Sequence, residues 1–111
     1  MIYVTNAFSV NMLDHSAQQR VTFTPMSEDD ARQLCRLRES GTVISAVGHA
    51  DTAAVFSGIL GFDVQPNRVT VNLDSRSRLL LGQYTGPRLQ EGATTLPDGA
   101  VIKWWLVKVG A

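Results

Sequence analysis

The segment ADTAAVFSGIL, from about Ala50 to Leu60, most constrains what this chain can become. Ala53, Ala54, Phe56, Ile59 and Leu60 supply one apolar side at helical spacing, and Gly61 stands where a glycine stop ends a helix. A helix with such a side must bury it against another layer. The rest of the chain supplies mostly sheet. MIYVTNAF opens with β-branched and aromatic residues and reads as a strand, giving way to a polar turn at Asn6 and Ser9. RVTFTP is a second short strand, ended by Pro25, which has no N–H for a ladder. NRVTVNL alternates, with Val69, Val71 and Leu73 on one side. DSRSR is a tight polar turn, and LLLGQY returns as a strand, which predicts a hairpin. VIKWWLVKV is the last strand, and its Trp104 and Trp105 point to opposite sheet faces.

A further helix is predicted in SEDDARQLCRLRES. Ser27 is a good N-cap, and Glu28, Asp29 and Asp30 sit where the helix dipole favours negative charge. Ala31, Leu34, Cys35 and the stem of Arg38 form one face, and Gly41 ends the helix. Strands mixed with two helices in 111 residues predict a single domain over 1–111, of the α+β or α/β class.

Composition narrows the function. Apolar residues make up 44% and charged residues 18%, a globular balance without a long polar, highly charged stretch. Ten basic residues equal ten acidic ones, which argues against a general duplex-DNA binder but allows a compact anionic ligand held by a local cluster of donors. Cys35 is the only cysteine, and no signal-like start is visible, so a reducing cytoplasm is expected. No apolar run approaches the roughly 18 residues of a membrane span. His15 and His49 are the only histidines, without the Cys/His spacing of a zinc site; no metal or other cofactor is expected. Glycine-rich phosphate loops and the G-x-S-x-G elbow are absent. Cys35 belongs to an apolar helix face, which favours a structural role over a reactive thiol.

His49 is the residue a plain helix start does not explain. It follows Gly48 and precedes Ala50, where a helix begins. Its bland role is hydrogen bonding to backbone near the cap. Its functional role draws on the same place: a helix start exposes unpaired N–H groups that suit a phosphate, Gly48 permits close approach, and histidine is a natural proton donor to a departing oxygen. Asp51 and Thr52 fit either a cap or a ligand contact. Arg68 opens the alternating segment on its polar side, and Arg88 lies in the loop TGPRLQEG three residues before Glu91. Each arginine is either a solvated side chain or a planar reader of phosphate. Glu91 is either a loop acid or the group that orients a histidine or a sugar hydroxyl. Asn6, Ser9, Asn11 and Gln83 are amides and a hydroxyl of the kind that reads base edges and ribose.

NAFSVNML, SAVGHADTA, NRVTVNL and RLQEG follow one another in a specific order and spacing over nearly the whole chain. In this the sequence resembles the viral and bacterial ring nucleases of the type III anti-CRISPR family, first met as a small conserved protein of archaeal viruses. The resemblance implies an α+β homodimer with a central mixed β-sheet of about five strands flanked by helices. It implies metal-free cutting of cyclic tetra-adenylate to linear di-adenylate with 2′,3′-cyclic phosphate, which switches off type III CRISPR signalling. His49 matches the family's catalytic histidine, and Arg88 and Glu91 match its loop arginine and glutamate. Arg68 matches the arginine of the alternating segment, and Asn6, Ser9, Asn11, Gly48 and Gln83 fall at positions similar to ligand-contacting ones. Two other readings stand beside it. One is a sponge that holds the cyclic nucleotide without cutting it. The other is a viral nucleic-acid-binding or structural protein, whose DNA version the zero net charge disfavours.

Overall fold

A computed structural model describes residues 1–37 and 43–110. Five strands, β1 (Ile2–Thr5), β2 (Val21–Met26), β3 (Val43–Ser45), β4 (Arg78–Thr85) and β5 (Val101–Val109), form one sheet in the order β2-β5-β4-β1-β3. Strand β1 runs parallel to both β3 and β4, while β5 is antiparallel to β4 and to β2. Two helices, α1 (Glu28–Arg36) and α2 (Ala50–Leu60), and a short 3-10 turn at Val10–Met12 complete the elements among the described residues. The domain is α+β with a mixed sheet, as expected.

Local chemistry explains the helices. The Ser27 hydroxyl accepts from the Asp30 N–H at 3.0 Å, and three acids fill the first turn of α1. That helix closes at Arg36 on Leu37; Arg38 and Gly41, assigned to its face and its stop, lie outside the described residues. Helix α2 has the expected bounds and ends on Gly61 at φ 76, a left-handed conformation that glycine adopts without steric cost. Arg32 of α1 ties the two helices together. Its Nε donates to the Ile59 carbonyl at 3.0 Å, placing a cation at the C-terminal end of α2. Its two terminal nitrogens meet Asp29 at 2.8 Å and Glu28 at 3.0 Å.

Both helices pack on one sheet face. Ile2, Val4, Leu80 and Trp104 meet Ala31, Cys35, Ala53, Phe56 and Leu60 there. Val55 is also buried, whereas Ala54 and Ile59 are half-buried. On the other face Leu79, Leu81 and Val107 pack with Val71 and Leu73, flanked by Tyr3, Phe8 and Trp105. The two tryptophans do face opposite ways, and only Trp104 is buried.

Three expectations are corrected. The segment NRVTVNL is not a strand, and it makes no hairpin with LLLGQY. Both sides of β4 are taken, by β1 and β5, so the segment crosses the second face instead. The Leu73 N–H bonds the Met12 carbonyl at 2.8 Å, and Val71 and Leu73 are buried while Val69 is not. Its alternation therefore reports one buried side without a ladder. Strand β3 went unforeseen because it is three residues long; its edge is covered by Asn67, whose N–H bonds the Val47 carbonyl and whose amide bonds the Ser45 carbonyl, each at 2.8 Å. Pro25 does not end β2, which continues to Met26, because an edge strand has one side free of ladder bonds. The polar turn before β4 forms as expected. Asp74 accepts from the Arg76 N–H at 2.9 Å and from the Ser77 hydroxyl at 3.0 Å, and these bonds hold its carboxyl below the usual value.

Two predictions follow from this core. A Cβ at Gly82 would stand 2.7 Å from both Phe56 Cζ and Trp104 Cζ3, so Gly82→Ala should cost about 1–3 kcal/mol in urea unfolding. Burial pushes the Cys35 thiol up from 9.0 to about 11. Its raised folded value means that the unfolded chain loses the proton first. Stability should therefore fall as pH rises from 9.0 toward about 11, and Cys35→Ala should remove that part of the slope in a pH series of melts.

Candidate functional site

Because β1 is parallel to β3 and β4, the C-terminal ends of all three lie along one edge of the sheet. Open sheets with parallel strands place ligands at that edge. Three chain segments emerge there. Asn6 follows β1, the turn Ala46–Gly48 leads from β3 into α2, and the long loop between β4 and β5 leaves after Thr85. Backbone bonds hold this edge. The Ala46 N–H reaches the Val4 carbonyl at 2.8 Å, and the buried Thr5 hydroxyl bonds the Ala7 carbonyl at 3.2 Å.

A cleft of about 800 Å³ opens between these segments. Asn6, His49, Arg88 and Glu91 line it together, although they are up to 85 positions apart in sequence (91 − 6). Asp51 and Thr52 from the first turn of α2, Tyr84 from the end of β4, and Leu89 and Gln90 from the loop complete its walls.

His49 occupies the N-cap of α2, with the extended backbone (φ −123, ψ 133) that a cap requires. Its carbonyl accepts from the Ala53 N–H at 3.0 Å, but its side chain makes no capping bond and is exposed. The N–H groups of Ala50, Asp51 and Thr52 have no partner within the helix, so the first turn presents donors and partial positive charge at the cleft. Asp51 bridges that turn to the loop: its Oδ1 accepts from the Gly92 N–H at 2.9 Å. The Tyr84 hydroxyl donates to the Pro87 carbonyl at the root of the same loop.

The remaining sequence candidates, Gly48, Arg68, Ser9, Asn11 and Gln83, are not among the residues that line the cleft. Arg68 belongs to the irregular segment after α2, and its Nε donates to the Gly48 carbonyl at 3.1 Å. Its stem also fills the space over Gly48, where a Cβ would come within 3.3 Å of Arg68 Cγ. Ser9 caps the 3-10 turn by accepting from the Asn11 N–H at 3.2 Å, and both residues are exposed. Gln83 is exposed and bends its amide to the Tyr84 carbonyl at 3.4 Å. Tyr84 escaped the sequence reading because a tyrosine in a strand is ordinary; only the end of β4 gives it a place in the cleft. Among the described residues, no three His, Cys, Asp or Glu side chains group to hold a metal ion, and no helix is long and apolar enough to cross a membrane.

A small mixed-sheet domain with a cleft at the parallel strand ends, lined by a helix start and a long loop, is thus the class of protein. The chain belongs to the STIV B116-like family, whose model matches residues 2–101. Among solved structures it is similar to B116 of Sulfolobus turreted icosahedral virus. The two are 32% identical, with a TM-score of 0.80 over 96% of this chain and 97% of that one. Comparison with curated proteins gives no match.

The unfilled cap at His49 generates a test. A serine there would accept from the first turn of α2, so His49→Ser should raise unfolding stability by about 1 kcal/mol in urea titration. Equal or lower stability would mean that the histidine already supports the helix.

Proposed function

We propose that this chain is a metal-independent ring nuclease that cuts cyclic tetra-adenylate and so ends type III CRISPR signalling. The observation that carries the reading is the meeting of His49, Arg88, Glu91 and Asn6 in one cleft at the N-terminus of α2. A proton donor, a guanidinium, a carboxylate and helix N–H groups are a set suited to RNA phosphodiester cleavage. RNA supplies its own nucleophile. The 2′-oxygen bonds to the adjacent phosphorus as the bond from phosphorus to the 5′-oxygen breaks. The 2′-hydroxyl gives its proton to solvent, and His49 donates one to the leaving 5′-oxygen. Holding the three atoms in line supplies much of the acceleration. Arg88 and the N–H groups of α2 stabilise the charge that grows on the phosphate. Glu91 is the orienting carboxylate.

The same reading assigns the remaining residues. Arg68 braces Gly48 beside His49 and adds positive charge near the phosphate. Asn6, Ser9, Asn11 and Gln83 recognise the adenosines. A second copy of the chain completes the assembly: a two-fold pair presents two His49 side chains to opposite phosphates of a ring with rotational symmetry. Two cuts then yield linear di-adenylate with 2′,3′-cyclic phosphate and 5′-hydroxyl ends. Membership of a family with a solved viral member supports this setting.

His49→Ala should lower the turnover of cyclic tetra-adenylate by roughly 10²–10⁴ and leave ring binding largely intact, checked by single-turnover kinetics beside calorimetric binding. A variant that cuts at the normal rate removes His49 from the mechanism. Binding without cutting by both proteins indicates a sponge.

A further inference from the structure

Arg88 and Glu91 belong to a loop that runs from Gly86 to Ala100, long enough to scatter both side chains if it were held only at its ends. It is held elsewhere. The loop is pinched at its base, where a Cβ on Gly86 would stand 2.7 Å from Ala100 Cα. The Tyr84 hydroxyl donates to the Pro87 carbonyl, immediately before Arg88. The Asp51 carboxylate accepts from the Gly92 N–H at 2.9 Å, immediately after Glu91. Two side chains therefore bracket the four residues Arg88–Glu91, and one of them stands on the helix turn that carries His49.

Asp51 needs such an explanation. A carboxylate in a cleft suited to a phosphate repels it, and a helix dipole alone is satisfied by an acid anywhere in the first turn. Its hydrogen bond to Gly92 gives it a specific task. The bond is charge-assisted and spans 41 positions of sequence.

We infer that Asp51 and Tyr84 are positioning residues that fix the Arg88–Glu91 segment across the cleft from His49, Asp51 through the Gly92 N–H and Tyr84 through the Pro87 carbonyl. Neither touches the reacting atoms. Their effect on turnover rests on the ring-nuclease reading above, whereas their effect on the loop does not. Because a misplacement of about 1 Å costs roughly 10²-fold in rate, such pins control turnover more than binding.

The test uses the whole chain with Asp51→Ala, Asp51→Asn and Tyr84→Phe. Asparagine keeps the Oδ1 acceptor; alanine and phenylalanine delete one pin each. Tryptic cutting after Arg88 reports the loop, and cutting after Arg76, in the exposed Asp74 turn, is the internal standard for general loosening. Asp51→Ala and Tyr84→Phe should raise the ratio of Arg88 to Arg76 cutting roughly tenfold, the rise in open population expected when one such hydrogen bond is lost. Asp51→Asn should stay near the parent. On cyclic tetra-adenylate, the first two should lose about tenfold in kcat with a much smaller change in ring affinity, and asparagine should restore kcat. An unchanged cutting ratio in both Asp51→Ala and Tyr84→Phe overturns the pins. A raised ratio with unchanged kcat overturns their positioning role. If the parent chain does not cut the ring at all, the ring-nuclease reading fails, and the tryptic ratio alone decides whether the pins exist.

Discussion

The parallel pairing of β1 with both β3 and β4 is the constraint on which the rest of the molecule depends. It aligns three strand ends along one edge, from Thr5, Ser45 and Thr85. From that alignment the start of α2, the turn after β1 and the β4–β5 loop converge, and the cleft exists because they do. The pairing also fills both sides of β4 once β5 has docked. The chain between α2 and β4 is then left to seal the edge of β3 and cover the second face. Burial on the two faces follows the two-residue period of the strands: Ile2 and Val4 meet the helices, and Tyr3 lies with the opposite cluster.

Much of this was legible in the sequence where local chemistry decides structure. Ser27 and the three acids after it mark the start of α1, and Gly61 marks the end of α2. The final strand declares itself through six β-branched or aromatic residues among its nine, with Trp104 and Trp105 on opposite faces. Misreadings arose where tertiary context decides. Alternation in NRVTVNL records burial of Val71 and Leu73 but says nothing about whether a partner strand is free. Pro25 breaks a ladder only where a ladder is needed, and β2 is an edge. Three residues of β3 carry too little pattern to be seen.

The cleft was legible in part for the same reason. His49 stood out because a histidine between Gly48 and Ala50 is an unusual residue for a helix start, and its side chain makes no cap bond. Arg88 and Glu91 share a loop, yet only the fold brings that loop to α2. Asp51 and Tyr84 were illegible as loop supports, since their partners are the backbone groups of Gly92 and Pro87 and backbone contacts leave no residue-type signal.

Cutting of a cyclic RNA by this cleft, as proposed above, is read from its products. The purified chain is incubated with cyclic tetra-adenylate in excess chelator, and the products are resolved over time by chromatography and mass spectrometry. A ring nuclease of the proposed kind should give loss of the ring and growth of linear di-adenylate bearing 2′,3′-cyclic phosphate and 5′-hydroxyl ends. An intact ring after long incubation, or products bearing 5′-phosphate ends, would contradict it.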